Sequence, residues 1–265
     1  MCHITIAGGV SFKYDLGAWC ILLRCGAMID NIDTALIVAG GEGTRLRPLT
    51  YEIPKPMVPV NGRPVLEHII DELKRNGISK VYISVGYKAP SIIKHFEDYK
   101  VEGVNIECIS ETELLGTGGA IKQALSSMKL GENVLVLWGD NLFKFNLGDM
   151  YDVHAKENAL ITFGLVEVPD VTGYGVVEMR GNEIVRFLEK PDPKTVSSRI
   201  INGGIFLFRK EIMQKFPEQR KFSIERDFFE KVIGKEKICG YVIGSEWYPT
   251  DNMERYQRAI EIWKA

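Results

Sequence analysis

The sequence predicts an α/β fold: a mostly parallel sheet flanked by helices, with a smaller antiparallel β extension over the edge where the strands end. Three observations carry this. Short, almost unbroken apolar runs such as Ala35-Leu36-Ile37-Val38 and Val134-Leu135-Val136-Leu137 suit strands buried on both faces. They alternate with segments whose apolar residues recur at helical spacing, which implies βαβ units. After about Ala159 the texture changes, and β-like segments follow one another with Gly and Pro between them.

Thr34 to Ala39 is a short apolar run ending in glycines, as a central parallel strand requires. Val65, Leu66, Ile69, Ile70 and Leu73 lie on one helical face, and Gly77 follows as a stop. Lys80 to Val85 reads as a second strand, Ser91 to Tyr99 as a helix, Val104 to Ile109 as a third strand and Ala120 to Met128 as a helix. Val134 to Leu137 is a fourth strand, closed by Gly139-Asp140. In such Rossmann-like sheets ligands bind beyond the carboxyl ends of the strands, so the turn after the first strand and Asp140 after the fourth belong to one edge. Ile161 to Val168, Gly175 to Met179, Glu183 to Leu188 and Ile201 to Phe208 form the antiparallel extension, with helices near Phe222 to Ile233 and Asn252 to Lys264. The expected organisation is an N-terminal extension over 1–33 and one domain over 34–265. That domain divides into two halves, 34–158 and 159–265.

With 265 residues, 26% charged and a formal net charge of −2, the chain can bury a full core and offers no global field for nucleic acid or an anionic membrane. No apolar run reaches membrane-spanning length. Five cysteines contain no C-x-x-C pair and four histidines are scattered, which argues against zinc or a disulfide framework and for a reducing cytoplasm. The apolar stretch Leu16 to Leu23 follows Lys13 and Asp15 and ends at Arg24, unlike a signal peptide. Residues 1–27 are expected to be an extension without a catalytic role, with Met28 standing just before the first strand. A homo-oligomer is left open.

The most informative run is Leu36-Ile37-Val38-Ala39-Gly40-Gly41-Glu42-Gly43-Thr44-Arg45-Leu46-Arg47-Pro48-Leu49-Thr50, with Lys55-Pro56 behind it. Glycines let backbone N–H groups approach bound oxygens, and arginines and a lysine supply the charge that a polyphosphate requires. Two other phosphate loops are excluded. The one Gly-Lys pair, Gly234-Lys235, is followed by Glu236 rather than Ser or Thr. Leu46 stands where a dinucleotide fingerprint needs its third glycine, which removes an oxidoreductase reading. The run resembles the signature of the sugar-phosphate nucleotidyltransferases, G-G-x-G-T-R-L-x-P-L-T followed by K-P, at every defined position. That resemblance extends from about Thr34 to the C-terminus.

The resemblance implies Mg²⁺-dependent attack of a sugar 1-phosphate on the α-phosphorus of an NTP, releasing pyrophosphate. It implies that Ala39, Gly40, Gly41, Gly43 and Thr44 contact the nucleotide. Arg45 would hold the β- and γ-phosphates, and Lys55 the α-phosphate or the attacking phosphate. Asp140 would be a metal ligand. Many relatives read W-x-D-x-G-T-P-E near the C-terminus, whereas Trp247-Tyr248-Pro249-Thr250-Asp251 places proline at that aspartate. This spacing resembles the glucose-1-phosphate cytidylyltransferase branch and shifts the second metal acid to Asp251; the alternative role for Asp251 is a cap on the final helix. Glu189-Lys190-Pro191 matches a family E-K-P motif, in which the glutamate binds sugar hydroxyls and the lysine the sugar phosphate. Gly175 and Asn202 would complete that pocket, although glycines there also suit β-bulges.

Leu115-Gly116-Thr117-Gly118-Gly119-Ala120 resembles mannose- and heptose-phosphate guanylyltransferase-like members. Gly116 would approach the base, and Glu111 or Glu113 would accept from guanine N1–H and N2, or from the amino group of cytosine. A GDP-sugar is the favoured product, with CDP-glucose and dTDP- or UDP-glucose as alternatives. A non-catalytic nucleotide-sugar sensor is disfavoured, because Arg45, Lys55, Asp140 and Lys190 are all retained.

Overall fold

A computed structural model describes residues 32–111 and 113–264, together with the strand pair β1 (Cys2–Ile6) and β2 (Val10–Tyr14), which lie antiparallel to each other. Residues 1, 7–9 and 15–31 of the expected 1–33 extension lie outside the described residues.

The first half follows the βαβ pattern. Strand β3 (Thr34–Val38) is buried on both faces, as its apolar run demands. A loop follows with three short 3₁₀ turns (Thr44–Leu46, Leu49–Tyr51 and Lys55–Met57) and a small ribbon of β4 (Pro59–Val60) and β5 (Arg63–Pro64). Helix α1 (Val65–Arg75), β6 (Lys80–Val85), α2 (Ala89–Asp98), β7 (Asn105–Ser110), α3 (Gly116–Ser127) and β8 (Asn133–Trp138) come next. Strand β3 is parallel to β6 and β8, and β6 is parallel to β7. Side chains alternate across the sheet: Ala35, Ile37, Leu135 and Leu137 pack with α1 and α2, while Leu36, Val134 and Val136 pack with α3.

The expectation of a mostly parallel sheet with a small separate extension needs correction. One nine-stranded mixed sheet runs through the molecule in the order β10-β14-β12-β11-β13-β8-β3-β6-β7. After β9 (Asn141–Phe143) and α4 (Leu147–Lys156) come β10 (Ile161–Glu167), β11 (Gly175–Arg180), β12 (Glu183–Glu189) and β13 (Ile200–Arg209). Strand β13 pairs antiparallel with β8, so the second half continues the parallel sheet sideways. β10 also pairs with β13, and β14 (Ile238–Val242) bridges β10 and β12, which closes β10, β14, β12, β11 and β13 into a ring. Strands β11 and β12 form a hairpin, whereas β13 meets β8 and β10 antiparallel from far along the chain and β14 lies parallel to β10. The Phe163 ring lies 4.6 Å from Phe229 and 5.0 Å from Phe206, between the ring of strands and the segment over it.

That segment is a π-helical stretch, Ile224–Phe229, running into the short helix α5 (Glu230–Val232). The chain ends with β15 (Trp247–Pro249), paired antiparallel with β9, and helix α6 (Met253–Ile262). The elements β9, β14, β15 and α4 carry no expectation from the sequence. Helix α6 returns to the first half, where the Tyr256 hydroxyl donates to Pro59 O (2.6 Å) and Asn61 Nδ2 to Trp263 O (2.7 Å). Among the described residues, no helix is long and apolar enough to cross a membrane.

Candidate active site

The glycine turn leaves the carboxyl end of β3 as expected. Gly43 takes φ +65°, and a Cβ there would lie 2.7 Å from Lys55 Cβ, so the turn packs directly on the lysine segment. The Thr50 hydroxyl donates to Gly43 O at 2.9 Å and fixes the loop's return. Gly40 meets a different neighbour: a Cβ there would lie 2.2 Å from Glu111 Oε1. Glu111 therefore lies against the glycine turn, and burial raises its carboxyl pKa above the ordinary value, opposed by hydrogen bonds from the Leu115 backbone and from Ser84 (3.4 Å). Glu113 faces outward and pairs with Arg220 at 3.1 Å. Of the two acids considered for a base pocket, Glu111 is the one beside the turn.

The helix expected from Ala120 begins at Gly116, so the glycine run forms its first turn. Gly116 has φ +71°, and a Cβ on it would meet Phe222 O at 2.7 Å; one on Gly119 would meet Arg220 O at 2.2 Å. These glycines interlock the first half with the 220–222 segment of the second, a packing duty that the expected approach of Gly116 to a base did not include.

Two ion pairs join the ends of distant strands. The Lys55 ammonium pairs with the Asp140 carboxylate, and the two side chains are only 12% and 25% exposed. Lys55 opens its own 3₁₀ turn after Pro54, with Pro56 next, which restricts its direction. Arg45 Nη1 lies 2.7 Å from Asp251 Oδ2. Pairing of β9 with β15 brings the two acids' segments together, and Asp140 O accepts both the N–H and the hydroxyl of Thr250, each at 2.9 Å. Asn252, not Asp251, caps α6, accepting from Arg255 N at 2.9 Å. Arg255 Nη1 also reaches both oxygens of Asp251, at 3.0 and 3.1 Å.

In the second half, Gly175 is the register partner of Glu189, and Val176 that of Ile201 beside Asn202. Asn202 Oδ1 accepts from Gly204 N at 2.9 Å. Gly203 O accepts from Asn141 Nδ2 (3.3 Å) and Trp247 Nε1 (2.9 Å), which links this strand to the Asp140 segment. Lys190 adopts φ +50°, its N–H donates to Tyr174 O at 3.1 Å, and its half-exposed ammonium lies 3.2 Å from Glu189. Burial pushes the Glu189 carboxyl pKa up, with Glu225 adding to the rise and Lys190 opposing it. The Tyr174 ring stacks under Arg255, 4.0 Å from the guanidinium. Lys190, Tyr174, Arg255, Asp251 and Arg45 thus form one chain of contacts, and Thr250 joins it to Asp140 and Lys55.

Among the described residues no group of three or more His, Cys, Asp or Glu side chains is placed to hold a metal. Asp140 and Asp251 form a two-carboxylate set beside cations. That donor chemistry fits Mg²⁺, which combines one or two carboxylates with phosphate oxygens and water. Sequence reading missed Tyr174, Thr250 and Arg255. The one available signal was the i,i+4 spacing of Asp251 and Arg255, which places opposite charges on one face as a helix starts.

A family model described as nucleotidyl transferase matches residues 34–263. Mannose-1-phosphate guanylyltransferase of Mycobacterium tuberculosis is 35% identical over 228 residues, 84% of this chain and 62% of that protein. The chain thus spans less than two thirds of that relative's length. D-glycero-alpha-D-manno-heptose 1-phosphate guanylyltransferase of Aneurinibacillus thermoaerophilus is 35% identical over 85% of this chain and 96% of its own. Among solved structures, HddC from Yersinia pseudotuberculosis superposes with a TM-score of 0.76 at 30% identity, over 87% of this chain and 99% of that one, and has also been solved with GMP-PN.

Proposed function

The chain belongs to the nucleotidyl transferase family, and on that premise we propose that it transfers a nucleotidyl group from an NTP to a sugar 1-phosphate, with a GDP-sugar of the mannose or manno-heptose type as product. The observation that carries this reading is the single chain of contacts from Lys55 and Asp140 through Asp251 and Arg45 to Lys190. Guanylyl transfer is supported by the names of the relatives in M. tuberculosis and A. thermoaerophilus and by the position of Glu111 against Gly40, where it suits guanine's N1–H and N2 donors.

A phosphate monoester has its second pKa near about 6, so the attacking sugar phosphate is mostly dianionic at neutral pH and needs no strong base. It needs neutralisation and in-line placement. Arg45 takes the β- and γ-phosphates and the departing pyrophosphate, and Lys55 the α-phosphate or the incoming one. The backbone of Ala39 to Thr44 lines the nucleotide. Lys190 binds the sugar phosphate, Glu189 accepts from sugar hydroxyls, and Gly175 and Asn202 border that pocket. Asp140 and Asp251 hold Mg²⁺, which supplies charge neutralisation at the phosphate oxygens when bound. Because Arg45 and Lys55 already face carboxylates, substrate binding exchanges one anionic partner for another and does not bury a bare cation.

A second reading, glucose-1-phosphate cytidylyl transfer, is favoured by the Trp247-x-Pro249-x-Asp251 spacing and by a glutamate that also suits cytosine's amino group. Thymidylyl and uridylyl transfer stand behind it. Cys108 and Cys239, unpaired among the described residues, accord with a reducing cytoplasm. The test is pyrophosphate release with each of four NTPs against mannose, manno-heptose and glucose 1-phosphates. GTP with a manno-configured sugar is expected to turn over fastest, and chelation to stop it. Turnover with CTP and glucose 1-phosphate alone would replace the guanylyl reading, and nucleotide binding without pyrophosphate release for any pair would leave a sensor.

A further inference from the structure

Two arginines share the Asp251 carboxylate, and they are held very differently. Arg45 projects from the glycine turn with a side chain 56% exposed, and its contact with Asp251 is a single one. Arg255 is 24% exposed and fastened at three further points: Nη2 donates to Thr172 O (3.2 Å), the guanidinium lies over Tyr174 (4.0 Å), and its backbone N–H reaches the Asn252 cap. An arginine in the first turn of a helix works against the positive N-terminal end of the helix dipole. Its place there is explained by these contacts, not by helix formation. Nη1 reaches both Asp251 oxygens while Nη2 holds Thr172 O, so the planar guanidinium spans two partners at once, which a lysine ammonium cannot.

We infer that Arg255 is a positioning residue that keeps Asp251 neutralised and aimed while Arg45 leaves for the nucleotide, and that ties this acid to the loop bearing Lys190. The inference rests on the reading of Asp251 as a metal acid. Asp251 is mostly buried, with a side chain 12% exposed, so losing its one mobile partner with no second cation would strand a carboxylate. Arg255 prevents this, because its fork stays in place when Arg45 departs. The same guanidinium holds Tyr174, whose carbonyl accepts the Lys190 N–H, so the aim of the metal acid and the seat of the sugar-phosphate lysine share one support.

The test measures Mn²⁺ binding by water-proton relaxation without nucleotide, and KM values for each substrate, in wild type, R255K, R255A, R45A and D251N. R255K and R255A are expected to weaken Mn²⁺ binding by about tenfold, the usual scale for removing a partner that orients a metal ligand. They should also raise the KM for sugar 1-phosphate while leaving the NTP KM at saturating metal near wild type. R45A should show the opposite split, keeping Mn²⁺ binding and raising the NTP KM. R255K keeps the charge, so a wild-type result for it in both Mn²⁺ binding and sugar KM would overturn the inference. If D251N also binds Mn²⁺ normally, the reading of Asp251 itself fails. If D251N loses Mn²⁺ and R255K does not, only the role of Arg255 fails. Thermal melting accompanies each variant, and should R255A melt early, R255K carries the test alone.

Discussion

The cations proposed for the nucleotide and the one proposed for the sugar phosphate are held in opposite ways. Lys55 and Arg45 are paired with acids 85 and 206 residues away, at the meeting of β9 and β15 with the glycine turn. Lys190 is paired with its own chain neighbour, half exposed, and placed by a left-handed backbone turn tied to Tyr174. The first arrangement depends on the whole fold and stores its charges in ion pairs until a competing anion arrives. The second is set by one strand end and by Tyr174, which Arg255 holds in turn. The difference implies that Lys55 and Arg45 depend directly on long-range ion pairs, while the Lys190 ammonium has a local partner and only its backbone is tied, through Tyr174 and Arg255, to Asp251.

The sharpest way to break this comparison is K55M. It removes a cation aimed at the reacting phosphates and leaves Asp140 without its partner, so kcat should fall by about 10²–10³-fold, read by pyrophosphate release at saturating substrates. A loss confined to KM would show that Lys55 only binds. K190A should be milder: the KM for sugar 1-phosphate should rise by about tenfold, within the scale of one charged contact, with the NTP KM unchanged. A matching loss of NTP affinity would erase the distinction between the two sides.

E189Q bears on stability as well as binding. Burial raises the folded-state carboxyl pKa of Glu189, so folding holds the proton more tightly than the unfolded chain does. Stability is therefore fullest below the unfolded carboxylate value and declines as pH rises through the folded one. E189Q, which carries no charge to bury, should melt higher than wild type at pH 7, and the gain should vanish in acid, where Glu189 is protonated in both states, while sugar affinity drops. An equal gain at both pH values would point to packing instead of charge.

The smallest effect separates two glycines of the nucleotide side. G41A should leave the melting temperature unchanged, because nothing lies within 4 Å of a Cβ there and its φ is not left-handed. G116A should destabilise by about 1–3 kcal/mol, from a left-handed φ and a clash with Phe222 O. Activity lost in G41A without loss of stability would assign that glycine to ligand contact.

The regular elements of the first half were readable because strands buried on both faces and one-sided helices leave strong periodic patterns. The run from Ala39 to Thr50 was readable as a tight turn leaving β3, because its glycines end the apolar run. β9 and β15 are three residues long and were not readable, since so short a strand carries no period. The sheet's switch from parallel to antiparallel at β8 and β13 was missed for a related reason: pairing partners are chosen across long chain separations, where local pattern says nothing. Gly116 illustrates a third limit, because its neighbour at Phe222 lies more than a hundred residues on.

By itself the sequence determined which chemical groups are present and where β3 ends in a glycine turn. Only the tertiary structure decided that Lys55 faces Asp140, that Arg45 and Arg255 divide Asp251, and that Glu111 rather than Glu113 lies beside the turn. Local residue types fix propensity and charge over a few ångströms of chain. Which charges meet is decided by β-pairing and by helix α6 folding back on the first half, and those contacts exist only once the core is packed.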